Sequence, residues 1–256
     1  MRQKSILTCA IILQLLYLHV NGQVSLRDSA IHLSFIGFKY QGGINQGAWA
    51  DVFPGSGEIG GEFGVKFASN IYLTTGGYFY FADRVDSSAI REVLGDMLIA
   101  DEFVITSDGL LSPIAISISG LTVPLKVGKI FPVIGPNDNS GLYVELGAKF
   151  IQYNYWFRVP EGSVGLLRGE YEKGYDRRTR GFGINEGIGY RHFASNNYVN
   201  FSIGLDFSQY RLEDARPIFF PTGELGGTRR WGSFFGVSFG WFFPIYKRAP
   251  NKAYYY

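Results

Sequence analysis

The stretch "YVNFSIGLDFSQY" (residues 198–210) alternates between two kinds of side chain. One parity is apolar throughout and comprises Val199, Phe201, Ile203, Leu205 and Phe207. The other parity holds only polar, small or tyrosine residues. A period of two indicates a β-strand with two different faces. The strand is long enough for its apolar face to lie either in a soluble core or against lipid, and the rest of the chain must decide between these environments.

Strand character recurs along the whole chain, often with the same alternation. The predicted strands are residues 30–41, 58–68, 71–83, 112–131, 141–157, 180–193, 197–212 and 230–246. In the last of them one face carries Phe235, Val237, Phe239, Trp241 and Phe243. Eight such segments, with no other apolar run long enough to form a membrane-spanning helix, predict an all-β fold.

The connections between these strands alternate in length. Four are long, at residues 42–57, 84–111, 158–179 and 213–229, whereas those at 69–70, 132–140 and 194–196 are short or moderate. Short turns at one end and long loops at the other are typical of outer-membrane barrels. We therefore predict an eight-stranded antiparallel up-and-down transmembrane β-barrel with short periplasmic turns and long external loops.

A soluble β-sandwich or lipocalin-like barrel is the alternative fold. Three features favour the membrane. The apolar faces often run for four or five residues, which matches strands of about 9–11 residues that cross a bilayer at a tilt. Large aromatic residues such as Trp156, Tyr190 and Trp231 lie near strand ends, where interfacial girdles occur. The polar faces carry mostly Gly, Ser, Asn and Tyr, with isolated charges of both signs.

Two strands change phase, and a third contains a charged exception. In the fourth strand Ile116 and Leu121 belong to opposite parities, which predicts a β-bulge near Ser119-Gly120. The first strand changes phase in the same way. In the sixth strand Glu186 has the parity of apolar neighbours such as Ile184. Either that strand bulges, or Glu186 faces outward.

The first 22 residues have the form of a secretory signal peptide. Arg2 and Lys4 precede an apolar run at residues 6–20, which is too short to span a bilayer, and cleavage is expected before Gln23. The predicted organisation is therefore a signal peptide (1–22), an outer-membrane barrel (23–246) and a periplasmic C-terminal tail (247–256).

Cleavage would change the composition of the chain. It removes the one cysteine, so that disulfides contribute nothing to stability. Loss of two basic residues from 24 leaves 22, against 22 acidic residues. A neutral chain argues against nucleic acid as a partner. The 34 glycines, interleaved with aromatic residues in alternating runs, indicate a barrel whose small inward residues relieve crowding.

The polar faces of the predicted strands place several charged residues inside the barrel. The interior candidates are Glu62, Lys66, Lys126, Glu145, Lys149, Arg191 and Asp206. An eight-stranded barrel is only just wide enough for its own side chains. Because buried charges persist only when they are paired, we expect an internal salt-bridge network that plugs the barrel. A charged ion pathway is the alternative.

The external rim is predicted to be basic. The residues concerned are Arg177, Arg178, Arg180, Arg229 and Arg230. Their guanidinium groups would suit the phosphates of lipopolysaccharide. Arginines that are solvated or paired locally are the alternative interpretation.

Catalytic signatures are sparse in this sequence. A hydrolase would need Ser or Asp with a histidine. The predicted mature chain has only His32 and His192, both near periplasmic strand ends, and contains no Gly-x-Ser-x-Gly motif. No cluster of His, Cys and Asp has metal-ligand spacing. We therefore assign no catalytic, cofactor-binding or metal residues and expect no cofactor.

One part of the chain resembles a known family. The run "GLTVPLKVGKIF" (120–131), a short turn and "GLYVELGAKF" (141–150) resemble the PorT-like small outer-membrane β-barrels of Bacteroidota. The residues that carry the resemblance are Val123, Pro124, Leu125, Tyr143, Glu145, Leu146 and Gly147. The resemblance extends loosely over 58–246. It implies an outer-membrane barrel, and because some members act in type IX secretion and gliding, it implies an accessory role in secretion or envelope assembly.

The predicted function is a structural or partner-binding role in the bacterial outer membrane. The expected partners are outer-membrane lipid, lipopolysaccharide and proteins that bind the external loops or the tail at 247–256. A small channel is the first alternative, which conductance in planar bilayers would reveal. A membrane-embedded hydrolase is the second, which substitution of His32 and His192 would test.

Overall fold

The computed structural model describes residues 29–47, 49–82, 87–99, 103–160, 162–194, 199–221 and 223–245. The predicted signal peptide and C-terminal tail lie outside the described residues. No helix among these residues has the length and apolar character needed to cross a membrane.

Eight long strands form the body of the molecule. They are β1 (Leu33–Gly47), β2 (Gly55–Lys66), β3 (Ile71–Ala82), β6 (Ala115–Phe131), β7 (Gly141–Arg158), β8 (Thr179–His192), β9 (Phe201–Asp214) and β12 (Arg229–Ile245). All eight predicted strands are present. The largest change is in β1, which extends to Gly47 rather than ending at residue 41.

The external loops contain structure of their own. Two short hairpins are formed by β4 (Phe103–Ile105) with β5 (Leu111–Pro113), and by β10 (Ile218–Phe219) with β11 (Glu224–Leu225). Helix α1 (Ser87–Leu94) is followed by a 3₁₀ turn at Gly95–Met97. A second 3₁₀ turn at Gly165–Leu167 precedes the single turn of α2 (Gly169–Glu172).

The eight long strands close into a barrel. Each pairs antiparallel with the next long strand along the chain, and β12 pairs with β1. Following the paired residues around the barrel from Ser34 on β1 leads back to β1 at Ile44, a stagger of 10 residues (44 − 34). Such a stagger tilts the strands by about 35–45° from the barrel axis. The predicted eight-stranded antiparallel up-and-down barrel is confirmed.

The apolar faces of the strands point outward. Phe38 is 70% exposed, Phe182 70% and Phe239 51%, and the same orientation holds along every barrel strand. The charged residues of the opposite faces are buried inside. A soluble sandwich requires the reverse arrangement, so that alternative is wrong. A contiguous apolar exterior of this size needs a lipid environment.

The predicted bulge in β6 is absent. The strand pairs residue for residue with β7 from Ala115 to Phe131, and the register with β3 also has no inserted residue. Ile116 and Ile118 instead face inward, where both are buried. The same explanation holds in β1, where Leu33 and Phe35 are buried inside. The phase changes arise because the barrel interior is apolar at its two ends and polar between them.

Strand β8 also has no bulge, so Glu186 faces outward. The residue is exposed, and its cross-strand neighbours are Leu146 on β7 and Phe207 on β9. It lies near the middle of β8, about 20 Å along the strand from either end at roughly 3.3 Å per residue. A carboxylate is therefore placed on the apolar wall at the depth of the bilayer centre.

Replacing Glu186 with leucine should stabilise the barrel in lipid, because it removes a carboxylate from the apolar wall. The expected gain is about 1–2 kcal/mol, since an acidic residue at the midplane costs less than the 2–4 kcal/mol of a basic one. Unfolding in lipid vesicles, compared with the wild-type chain, measures the effect. The matched control is Gln209→Leu on β9, a polar outward position nearer the external end, where the gain should be smaller. A destabilised E186L variant would contradict the lipid-facing assignment of this position.

Candidate functional site: the barrel interior and its external rim

Glu145 is the centre of a buried charge network in the barrel interior. Its Oε1 lies 2.5 Å from Nζ of Lys126 and 3.7 Å from Nζ of Lys39. Its Oε2 lies 4.0 Å from the Arg191 guanidinium and accepts a hydrogen bond of 2.9 Å from the Tyr72 hydroxyl. The Glu145 side chain is only 1% exposed. Three cations on three different strands therefore converge on one carboxylate.

Two further ion pairs extend the network. Lys39 donates to Oδ1 of Asp206 at 3.1 Å, which links β1 to β9 past the intervening β12. Lys149 donates to Oε2 of Glu58 at 2.7 Å and links β7 to β2. Neither pair of strands is adjacent in the barrel, so each of these bonds joins two strands that share no backbone hydrogen bonds.

Arg191 occupies an aromatic cage toward the periplasmic end. Its guanidinium lies 3.7 Å from Oε1 of Glu62 and 4.4 Å from the centre of the Tyr72 ring. Three more rings lie within 6 Å, those of Phe35, Tyr143 and Phe242. A buried guanidinium is thus held by carboxylates on one side and by cation–π contacts on the other.

Inward glycines make room for this cage. A Cβ at Gly128 would lie 2.3 Å from the Tyr72 ring, and one at Gly64 would lie 2.2 Å from the Phe35 ring. Side chains at these positions would displace the rings. This close packing explains why so many glycines alternate with aromatic residues along the strands.

Lys66 has a different role from the one expected. Its side chain is buried, but its ammonium donates to Oδ1 of Asn139 at 2.8 Å and to the Ile31 carbonyl at 3.1 Å. Its partners are therefore amide and carbonyl oxygens rather than carboxylates. Lys66 fastens the periplasmic turn at 132–140 to the barrel. The other six predicted interior charges are brought into the ion-paired network.

Two members of the network, Glu58 and Lys39, were not among the interior charges predicted from the sequence. Glu58 shares the parity of Glu62 in β2, so the alternation alone identifies it as inward. Lys39 was obscured because its inward neighbours on β1 include apolar Phe35 as well as polar Gln41. With both included, the ion pairs join four basic residues to four acidic ones: Lys39, Lys126, Lys149 and Arg191 with Glu58, Glu62, Glu145 and Asp206.

Aromatic clusters close the interior on both sides of the charges. At the external end Trp49, from the loop between β1 and β2, is 1% exposed and donates to the Tyr153 hydroxyl at 2.9 Å. The centre of its indole ring lies 5.1 Å from that of the Tyr210 ring, and Val93 and Leu94 of α1 belong to the same cluster. At the periplasmic end Phe35, Phe193 and Phe242 pack against one another.

The predicted basic rim separates into inward and outward groups. Arg230 is largely buried and hydrogen-bonds to both carboxylate oxygens of Asp214. Arg177 lies 3.8 Å from Asp214 and stacks over the Phe219 ring. Arg178 is half-buried, and its backbone N–H donates to Asp176. The side chains of Arg177 and Arg230 therefore hold the loops near Asp214 and present little charge to solvent.

Arg180 and Arg229 form the outward group. Their side chains are 57% and 60% exposed, and each lies about 3.5 Å from a different oxygen of Glu213 (3.5 and 3.4 Å). Nearby in the loops, the Asp176 carboxylate hydrogen-bonded to Arg216 raises the pKa of that guanidinium. That ion pair ties the connection before β8 to the one after β9.

The two histidines of the predicted mature chain do not lie together. His32 packs 5.5 Å from the Phe67 ring beside β1, and His192 stacks 5.2 Å from Phe201 at the end of β8. Strands β9 and β12 lie between them in the sheet. Within the described residues, no group of three or more His, Cys, Asp or Glu side chains is arranged to hold a metal ion.

Comparisons with known proteins give structural similarities only. No protein-family model matches the sequence, and no curated protein matches it. The N-terminal barrel domain of Pseudomonas aeruginosa OprF is similar over 82% of this chain and 97% of its own, with 13% identity and a TM-score of 0.34. A major outer-membrane protein of Thermus thermophilus is similar over 82% and 99%, with 10% identity and a TM-score of 0.38. Yersinia pestis Ail, the attachment invasion locus protein, is similar over 83% of this chain and 99% of its own, with 10% identity and a TM-score of 0.35.

Proposed function

We propose that this protein is a sealed outer-membrane β-barrel with a structural or partner-binding role. The observation that carries the proposal is the filling of the interior from end to end. Charged side chains pair across the middle of the lumen, and buried aromatic clusters lie above and below them. A barrel of eight strands has little further space for a solute path.

The apolar exterior supports placement of this barrel in the outer membrane. Only helices and closed barrels satisfy every backbone N–H and C=O group within lipid, and this barrel leaves no strand edge unpaired. In the middle of the described wall Glu186 is the one charged outward residue, and the other outward residues are apolar or, like Thr75 and Gln209, uncharged, while charged outward residues concentrate at the external end.

The ordered external loops offer a surface for a partner. The β4–β5 hairpin exposes Ile105 (56%), Leu110 (54%) and Leu111 (53%) to solvent. One face of the hairpin packs into the external cluster through Val104, while the apolar side chains exposed near its tip gain free energy when another surface covers them. This hairpin is therefore the part of the external surface best suited to bind a protein.

The channel alternative predicts a different electrical behaviour. We expect the refolded chain to give no stepwise current in planar bilayers, because paired charges and aromatic rings fill its lumen. A porin inserted in the same bilayers controls for the recording conditions, and fluorescently labelled chain confirms insertion. Reproducible unit steps that scale with the amount of inserted protein would contradict the sealed interior.

An accessory role in a type IX-like secretion or envelope-assembly system is the finer proposal. Its support is the sequence resemblance centred on Val123, Pro124 and Leu125 and on the strand that begins at Gly141. Proteins that copurify with the tagged chain after gentle detergent extraction test this role. The matched control carries serine in place of Ile105, Leu110 and Leu111. Loss of a specific partner with that control would place the contact on the hairpin.

A further inference from the structure

Three strands present a compact group of charged and aromatic side chains at their external ends. In the register, Glu213 on β9 lies between Arg180 on β8 and Arg229 on β12. Two residues nearer the membrane, Arg211 on β9 lies between Phe182 on β8 and Trp231 on β12. The six side chains all point outward from the barrel, in two rows of three.

The guanidinium groups of this cluster are accessible and only partly neutralised. Arg180 and Arg229 share one carboxylate, that of Glu213, at 3.5 and 3.4 Å. Arg211 is also exposed. The cluster therefore has three positive charges and one negative charge. It borders a shallow depression of about 600 Å³, whose lining also includes Phe150 and Gln152.

The depth of the cluster matches the boundary between lipid tails and headgroups. Phe182 and Trp231 are 70% and 66% exposed, which suits aromatic residues at a membrane interface. Below them along β8 the outward position is held by Ile184, which is 58% exposed on the apolar wall. Above them lie Arg180, Arg229 and the external loops. Cationic groups thus lie just above the apolar wall, where the phosphates of an outer leaflet would be.

We propose that Arg180, Arg211 and Arg229 bind the phosphate of a phosphorylated glycolipid of the lipopolysaccharide type, in the outer leaflet. Guanidinium groups bind phosphate oxygens in a bidentate manner, and three of them can surround one phosphate from adjacent strands. Phe182 and Trp231 pack against the acyl chains beneath it. The inference rests on the proposed outer-membrane placement of the barrel.

Glu213 limits the affinity of the three arginines for phosphate. Its carboxylate occupies the position between Arg180 and Arg229 and would repel an incoming phosphate. The phosphate must therefore displace Glu213 from the two guanidinium groups. The contacts of Glu213 with Arg180 and Arg229 are long and exposed, unlike the closer and largely buried pairing of Arg230 with Asp214, so the Glu213 carboxylate is the easier of the two to displace.

The test measures binding of purified, refolded full-length chain to lipopolysaccharide in non-ionic detergent. A triple variant replaces Arg180, Arg211 and Arg229 with glutamine, and Arg158→Gln, at an exposed arginine on the external end of β7, is the matched control. We expect the triple variant to bind about tenfold or more weakly, since contacts between charged groups are lost, and the control to bind like wild type. Circular dichroism verifies that both variants retain the barrel.

Two ligand arms identify the source of the phosphate. Chemically dephosphorylated lipopolysaccharide should bind wild type as weakly as intact lipopolysaccharide binds the triple variant. Inorganic phosphate should compete only at far higher concentration, because it lacks acyl chains to pack on Phe182 and Trp231. Equal binding of the intact and dephosphorylated glycolipids would overturn the proposal, and so would full competition by inorganic phosphate at equal concentration.

Glu213→Gln gives a test that does not depend on losing a function. It removes the competing carboxylate, so lipopolysaccharide should bind several-fold more tightly, whereas weaker or unchanged binding would overturn the competition between Glu213 and phosphate. All of these measurements use purified chain in detergent. A failure here therefore leaves the conductance result, which tests the sealed barrel, unaffected.

Discussion

Replacing Glu145 with alanine should lower the free energy of unfolding by about 3–5 kcal/mol, the cost of breaking a buried ion pair by removing one partner. The reason is the number of groups that depend on this carboxylate. Lys126 at 2.5 Å and Lys39 at 3.7 Å would lose an anionic partner, and the Tyr72 hydroxyl would lose its acceptor. Arg191 would keep Glu62 but lose its second carboxylate. Urea unfolding in detergent, followed by tryptophan fluorescence, measures the change.

Glu170→Ala is the matched control for this prediction. Glu170 is an exposed loop residue that pairs with Lys173 three positions along the chain. Exposed pairs of this kind contribute little, so the variant should unfold as the wild type does. Equal destabilisation by E145A and E170A would show that the interior network does not hold the barrel together.

Glu145→Gln separates the charge of this residue from its shape. The amide retains a hydrogen-bond acceptor for the Tyr72 hydroxyl and fills the same volume, yet it leaves the excess positive charge of Lys39 and Lys126 uncompensated. Its cost should therefore approach that of alanine if charge pairing dominates. A cost close to zero would instead assign the effect of E145A to lost packing.

The strand pattern could be predicted from the sequence because each barrel strand meets two contrasting environments. Lipid selects for Val237, Phe239 and Trp241 on one side of β12, while the narrow lumen selects for Gly236 and Ser238 on the other. A period of two is then visible without any alignment. The connections add the topology, because their lengths alternate between the two ends of the barrel.

The bulge predicted in β6 was wrong for a physical reason. Parity reasoning treats the lumen as polar along its whole length. Ile116 and Ile118 lie in the external aromatic cluster, where the loops fold over the barrel mouth and exclude water. In the sequence, these apolar residues of the lumen cannot be distinguished from residues that face lipid. Only long-range contacts, such as that of the loop residue Trp49 with Tyr153 on β7, reveal that this end is closed.

The rim arginines could not be sorted by sequence for a similar reason. Arg229 and Arg230 are adjacent in sequence, so the alternation of a strand predicts that they face opposite sides of the barrel wall. It does not predict which of the two forms a buried ion pair with a carboxylate. Arg230 turns to Asp214, and Arg229 turns outward beside Glu213. Arg211 joins the outward cluster from a different part of the sequence, and only the register of β9 against its neighbours places it there.

The outward face of β12 allows a direct test of whether lipid or a protein core surrounds these side chains. Phe239, Trp241 and Phe243 are 51%, 51% and 42% exposed, so the structure gives them similar surroundings within the chain. They differ in depth along the strand. Phe239 lies eight residues from Trp231, at the external girdle, and six from Ile245, at the periplasmic end of β12 (239 − 231 and 245 − 239).

Arginine at Phe239 should therefore cost about 2–4 kcal/mol in lipid vesicles, the midplane value for a cation on the lipid face, and arginine at Phe243 only about 0–1 kcal/mol. Trp241→Arg should fall between them. Phe239→Leu is the control, because it keeps the position apolar and should change stability little. Refolding titrations of the four variants measure the gradient. In a soluble core all three arginines would be severe, so a cost that does not decline from Phe239 to Phe243 would contradict the lipid-facing assignment of this wall.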